Sequence, residues 1–143
     1  MKDDSYYMNI AYNEAQKAYK KNEIPVGAVI VSMTSGKIIS KAHNLRDSSF
    51  VVTKHAEIIA IEKANKKIKN WRLNDCILYT TLKPCNMCFS VIKNCKLQKV
   101  IYAANSNNEE IKLQVEIKQI EKVELVEKSS RIIQKMFENL RKK

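Results

Sequence analysis

Glycine occurs twice and proline twice in this chain of 143 residues, and arginine is rare against lysine. No stretch has the composition of a linker or a low-complexity segment, and no internal repeat is visible. No apolar run approaches the roughly 20 residues of a membrane span, so no membrane association is expected. The opening Met1-Lys2-Asp3-Asp4-Ser5 lacks the apolar stretch of a secretory signal. Cysteine is limited to four positions, too few for a disulfide framework once two are assigned to a metal. A reducing cytoplasm is the expected location.

The length suits one domain with a real core, spanning 1–143. The formal net charge is +11, which favours a polyanionic partner such as RNA. Abundant lysine, isoleucine and asparagine also fit a plain compositional bias. Arginine, the better reader of phosphates and bases, is what the chain has little of.

Two short stretches carry the chemistry. One is Lys54-His55-Ala56-Glu57, the other Thr81-Leu82-Lys83-Pro84-Cys85-Asn86-Met87-Cys88. Cys85 and Cys88 stand three apart, about one helical turn, so both sulfurs can face one point if a helix begins here. Pro84 suits a helix start, where its missing N–H costs nothing. A helix N-terminus favours thiolate over thiol. With His55 as a third ligand the set is mixed N/S, suited to Zn2+, and leaves one position open as catalytic zinc sites do. Glu57, two residues after His55, is placed to move protons without binding the metal. A redox pair would explain neither His55-Ala56-Glu57 nor Pro84. A four-cysteine structural site would need Cys76 and Cys95, which do not form a second C-x-x-C; both are expected as small buried residues.

The rest reads as α/β. Tyr7, Ile10, Ala11, Ala15, Ala18 and Tyr19 mark one stripe of a first helix. Val26–Val31 predicts a strand, turned at Ser35-Gly36 into a hairpin partner over 37–42. Gly27 within that strand marks a close approach of backbone or ligand. A polar loop over 44–53 leads to a helix from His55 to Lys67, and Trp71 is expected to anchor the next loop in the core. Cys76–Thr81 predicts a third strand, Asn86–Asn94 a helix and Lys99–Ala103 a fourth strand. Strands alternating with helices imply parallel pairing. The stretch 105–110 reads as a polar loop. Between 111 and 126 both strand and helix patterns fit, and a fifth strand is expected near the end of that stretch. Ser129 or Ser130 is expected to open the last helix, which closes on the basic Arg141-Lys142-Lys143.

The combination H-x-E and P-C-x-x-C is the zinc deaminase pattern. Together with Glu23-Ile24-Pro25-Val26-Gly27-Ala28, Asn44 and Trp71-Arg72-Leu73, it makes the chain resemble the bacterial-type tRNA adenosine deaminases of the cytidine-deaminase-like fold. The resemblance runs to about Ala104 and resumes weakly in the last helix. It implies a three-layer α-β-α arrangement with a central five-stranded mixed sheet, and a homodimer. It also implies hydrolysis of adenosine to inosine at the wobble position of a tRNA anticodon stem-loop. His55, Cys85 and Cys88 would then bind zinc and Glu57 would shuttle protons. Asn44 and the Ala56 backbone would contact the base, with Val26 and Leu82 as pocket walls. Two departures stand out: Lys83 where that family usually has glutamate, and a different, shorter segment after Ala104. They motivate a second reading, a free-base or nucleoside deaminase acting on guanine or cytosine. A third, a non-catalytic zinc-binding partner subunit, is disfavoured by the intact Glu57.

Overall fold

Alternate residues of one central strand face two different cores. In β1 (Gly27–Ser32), Ala28 and Ile30 enter one apolar cluster while Val29 and Val31 enter another. Such two-sided burial produces the near-continuous apolar run seen in the sequence. A computed structural model describes residues 1–106 and 115–141. Its elements are α1 (Asp4–Lys20), β1, β2 (Ile38–His43), α2 (Arg46–Ser49), α3 (Ala56–Ile68), β3 (Cys76–Leu82), α4 (Asn86–Asn94), β4 (Lys99–Ala104), β5 (Glu116–Gln119) and α5 (Val123–Arg141).

The five strands form one sheet in the order β2-β1-β3-β4-β5. β1 pairs antiparallel with β2 and with β3, whereas β3, β4 and β5 run parallel. α3 and α4 pack Ile59, Ala60, Phe89 and Ile92 on one face. α1 and α5 pack Tyr7, Met8, Ala11 and Leu125 on the other. The result is the expected α-β-α three-layer arrangement with a mixed sheet.

Gly27 is where α1 lies closest to the sheet. A Cβ there would stand 1.8 Å from the Ala11 carbonyl oxygen and 2.7 Å from the Ala15 nitrogen. Both obstacles are helix backbone and cannot step aside. Gly27→Ala is therefore expected to destabilise the fold by at least about 3 kcal/mol. A thermal melt should read this as a drop of roughly 10 °C or an insoluble product. An unchanged melt would show that α1 can lift off the sheet at little cost.

Four expectations need correcting. The fifth strand lies at Glu116–Gln119, before the place the alternation suggested. Its side chains are polar except Ile117, so it carries little strand signal of its own. Val123 and Leu125 would share a face in a strand. Instead they open α5, with Val123 63% exposed and Leu125 buried. The buried set Leu125, Ser129, Ile132 and Met136 has helical spacing, so the last helix starts before either serine. Trp71 is 56% exposed and holds the Arg72 guanidinium 4.8 Å from its ring centre; it does not enter the core. The polar loop over 44–53 contains the single-turn helix α2. The loop predicted over 105–110 and the basic end at 142–143 extend outside the described residues.

Candidate active site

Two helices start side by side, and their first residues meet. His55 occupies the N-cap of α3 and Cys85 the N-cap of α4, both with extended backbone. Pro84 therefore precedes the cap and does not form the first helical turn. His55 makes no capping bond to α3, although that is the usual service of a polar N-cap, while the Cys85 sulfur is hydrogen-bonded by Cys88 in the first turn of α4. The two side chains also turn toward each other. The Nδ1 of His55 lies 3.7 Å from Cys85 Sγ and 3.6 Å from Cys88 Sγ. The three donor atoms all fall within 4.8 Å of one another.

That spacing fits zinc. Bond lengths of about 2.3 Å to sulfur and 2.0–2.1 Å to nitrogen in a tetrahedral shell put the S···N edge at roughly 3.6 Å. The protonation chemistry fits as well. A hydrogen bond from the Cys88 thiol, opposed by burial and aided by His55, lowers the Cys85 thiol to about 5. The same hydrogen bond and burial push the Cys88 thiol far up. One proton is thus held between two sulfurs, where a divalent cation would take its place. Cys76 and Cys95 are buried elsewhere in the core, as expected. Burial raises their thiols above the usual range, which keeps them inert.

Glu57 sits in the first turn of α3 and is buried. Burial raises its carboxyl above 4.5, against backbone and Cys88 hydrogen bonds that lower it. A carboxyl moved toward neutrality is suited to taking and returning protons.

Seven of the eight residues singled out in the sequence line one cavity of about 130 Å³: Val26, Asn44, His55, Ala56, Glu57, Leu82 and Cys85. Cys88 is buried beside it. The chain brings these together because the start of β1 lies beside the end of β3, tied by a hydrogen bond from Gly27 N–H to Thr81 Oγ1 at 3.0 Å. Asn44 has a backbone role at this corner. It caps the turn, accepting from Arg46 N–H at 3.2 Å and donating to the Ile24 carbonyl at 3.4 Å, and it also lines the cavity.

Ile24, Arg46 and Lys83 line the cavity too and were not among the expected site residues. Ile24 adjoins the Pro25-Val26 pair, a signal that could have found it. Arg46 has a less visible support. Glu23 is 1% exposed, and its carboxylate accepts from Asp47 N–H at 3.0 Å and Ser48 N–H at 2.7 Å. Burial alone would raise its pKa. The hydrogen bonds from Ser48 and Asp47, with the nearby Arg46 charge, outweigh that and hold it low. A buried carboxylate at the start of α2 fixes that short helix, and with it Arg46, at the cavity rim. Lys83 is buried, with its ammonium 5.8 Å from the Tyr102 ring centre.

Comparison with known proteins agrees with this chemistry. Residues 1–104 match the family model of the cytidine and deoxycytidylate deaminase zinc-binding region. The chain is 42% identical over 104 residues to a tRNA-specific adenosine deaminase of Bacillus subtilis, covering 73% of this chain and 63% of that protein. It thus spans just under two thirds of that relative. Among solved structures it is similar to one studied for A-to-I editing by tRNA:A34 deaminases at the wobble position of transfer RNA. That likeness has a TM-score of 0.75 and 27% identity, over 81% of this chain and 98% of the other. It is also similar to guanine deaminase from Bacillus subtilis, with a TM-score of 0.68 and 37% identity over 73% of this chain and 66% of the other.

Proposed function

We propose that this chain, which belongs to the cytidine and deoxycytidylate deaminase family, hydrolyses adenosine to inosine in RNA, at the wobble position of a tRNA anticodon loop. The observation that carries the reading is the cavity. At about 130 Å³ it is well below the roughly 300–1,000 Å³ of ordinary ligand pockets. One flipped base fits inside while the rest of a nucleotide stays outside, against Arg46 at the rim. The bases of an anticodon loop are already partly unstacked, so extruding one costs less than from a duplex.

In this reading His55, Cys85 and Cys88 hold zinc, which when bound supplies the Lewis acidity that makes water nucleophilic near neutral pH. Glu57 takes a proton from the attacking water and delivers it to the exocyclic nitrogen, which leaves as ammonia. Asn44 hydrogen-bonds the base edge, and the Ala56 backbone at the start of α3 lies against the ring. Val26 and Leu82 wall the ring in and keep bulk water out.

The 143 residues act as a single deaminase domain that works in the cytoplasm, a reading supported by four free cysteines. No helix among the described residues is long and apolar enough to cross a membrane. The active form is a homodimer. Phe50, 94% exposed in left-handed backbone, and Val52, 68% exposed, lie in the segment between α2 and α3. An apolar projection of this kind is suited to an interface.

The likeness to guanine deaminase supports a second reading, turnover of a free base. One assay separates the two. Zinc-loaded protein is incubated with an anticodon stem-loop and, separately, with free guanine and free cytosine. Inosine is expected at the wobble adenosine and no ammonia from the free bases. Turnover of guanine with untouched stem-loops would overturn the RNA assignment.

A further inference from the structure

A second and larger cavity of about 540 Å³, which shares no lining residue with the first, lies between α1 and α5. Its lining includes Lys20, Lys128, Arg131 and Lys135 against one carboxylate, Glu138. The two helices run in the same direction. Lys128 reaches Asn9 near the start of α1, and Asn139 donates to the Tyr19 hydroxyl at its end. Two tyrosines form the floor. The Lys128 ammonium stands 4.3 Å from the Tyr12 ring centre and that of Lys135 stands 5.6 Å from the Tyr19 ring centre.

The ring faces are thus already covered by cations. A base could not stack there without displacing them, whereas the cation–π contacts hold two positive charges at the groove. The end of α1 links this cavity to the active-site cavity. Lys20 and Lys21 close α1, and Lys21 Nζ lies 3.3 Å from His43 Nε2, next to Asn44 of the first cavity. From Lys20 the chain reaches Ile24, also in that cavity, in four residues, at most about 14 Å. Arg46 stands at the far end of this line, on the rim.

We propose that the groove between α1 and α5 is a phosphate-binding track for the helical stem of the substrate RNA. It engages the stem backbone without reading its sequence, while the first cavity takes one base from the loop. The inference rests on the RNA reading above and extends it from the base to the arm that carries it. Phosphate contacts of this kind position a nucleic acid and leave specificity to base contacts.

The test compares the wild-type chain with Lys128→Gln/Arg131→Gln/Lys135→Gln on two RNAs: a full anticodon stem-loop, and a loop-only oligonucleotide with no stem. A second variant, Lys20→Gln/Lys135→Gln, removes charge from both helices. Melting temperature and zinc content serve as folding controls, and at least one variant should match the wild type in both. For the stem-loop, the triple variant is expected to bind at least about tenfold more weakly at low salt. Its plot of log affinity against log salt should be shallower by roughly 2–3, whatever the stem sequence. Deamination of the loop-only RNA should stay unchanged. A wild-type slope in the folded variants, or equal losses on both RNAs, would overturn the track. If the wild type binds the stem-loop with the expected slope but yields no inosine, the groove stands and the proposed reaction falls.

Discussion

Glu57→Gln should lower kcat by about 10²–10⁴-fold, with zinc still bound at one ion per chain. General acid–base catalysis by a positioned side chain contributes in that range, and the upper end is expected because one carboxylate serves two proton transfers. Glutamine keeps the shape and the hydrogen bonds but cannot exchange a proton. A stability measurement gives an independent check. In the metal-free chain, burial raises the Glu57 carboxyl above 4.5, so the folded state prefers the protonated form. Stability from this group is full at low pH and is lost as pH rises through the folded-state pKa. The glutamine variant lacks that loss, so its metal-free melting temperature should fall less on going from pH 4 to pH 7. A variant that keeps wild-type turnover would remove Glu57 from the mechanism. A variant that loses zinc would make it a structural residue.

Removal of the ligand Cys88 should have the broadest effect. Cys88→Ala leaves two donors of three and is expected to abolish both zinc retention and activity. The wild type treated with a chelator should behave alike. A metal bound at a thousand times its dissociation constant stabilises a fold by about 4 kcal/mol, so either change should lower the melting temperature by roughly 10 °C. Cys88 is fully buried, and its truncation also opens a small cavity, so the variant should melt slightly below the chelated wild type. Atomic absorption on the purified variant gives the deciding number. A full complement of zinc in Cys88→Ala would mean that other residues hold the ion. Cys95→Ala is the matched control, a buried thiol whose loss should leave the zinc content unchanged.

The metal-binding set was legible because its logic is local. A three-residue spacing puts two sulfurs on one turn, and a histidine two residues ahead of a carboxylate needs only a helix start to aim both. The strands in 26–31, 76–81 and 99–103 were legible for a different reason: burial on both faces leaves continuous apolar runs. Arg46 was not legible, because its placement depends on Glu23, a carboxylate 23 positions earlier that no periodicity links to it. β5 was hidden by its own polarity, since an edge strand with one inward side chain looks like loop. Trp71 misled because a large aromatic usually marks a core, and here it stacks with Arg72 in solvent.

The paired helix starts carry an evolutionary cost. Serine, aspartate or asparagine at positions 55 and 85 would satisfy the first-turn amides of α3 and α4, each at a gain of about 1 kcal/mol. The chain forgoes much of both gains, because neither histidine at 55 nor cysteine at 85 supplies the oxygen acceptor that caps best, and both turn to each other. Selection for thermal stability alone would therefore erode this centre one residue at a time. Its persistence in a descendant would mark continued demand for the chemistry.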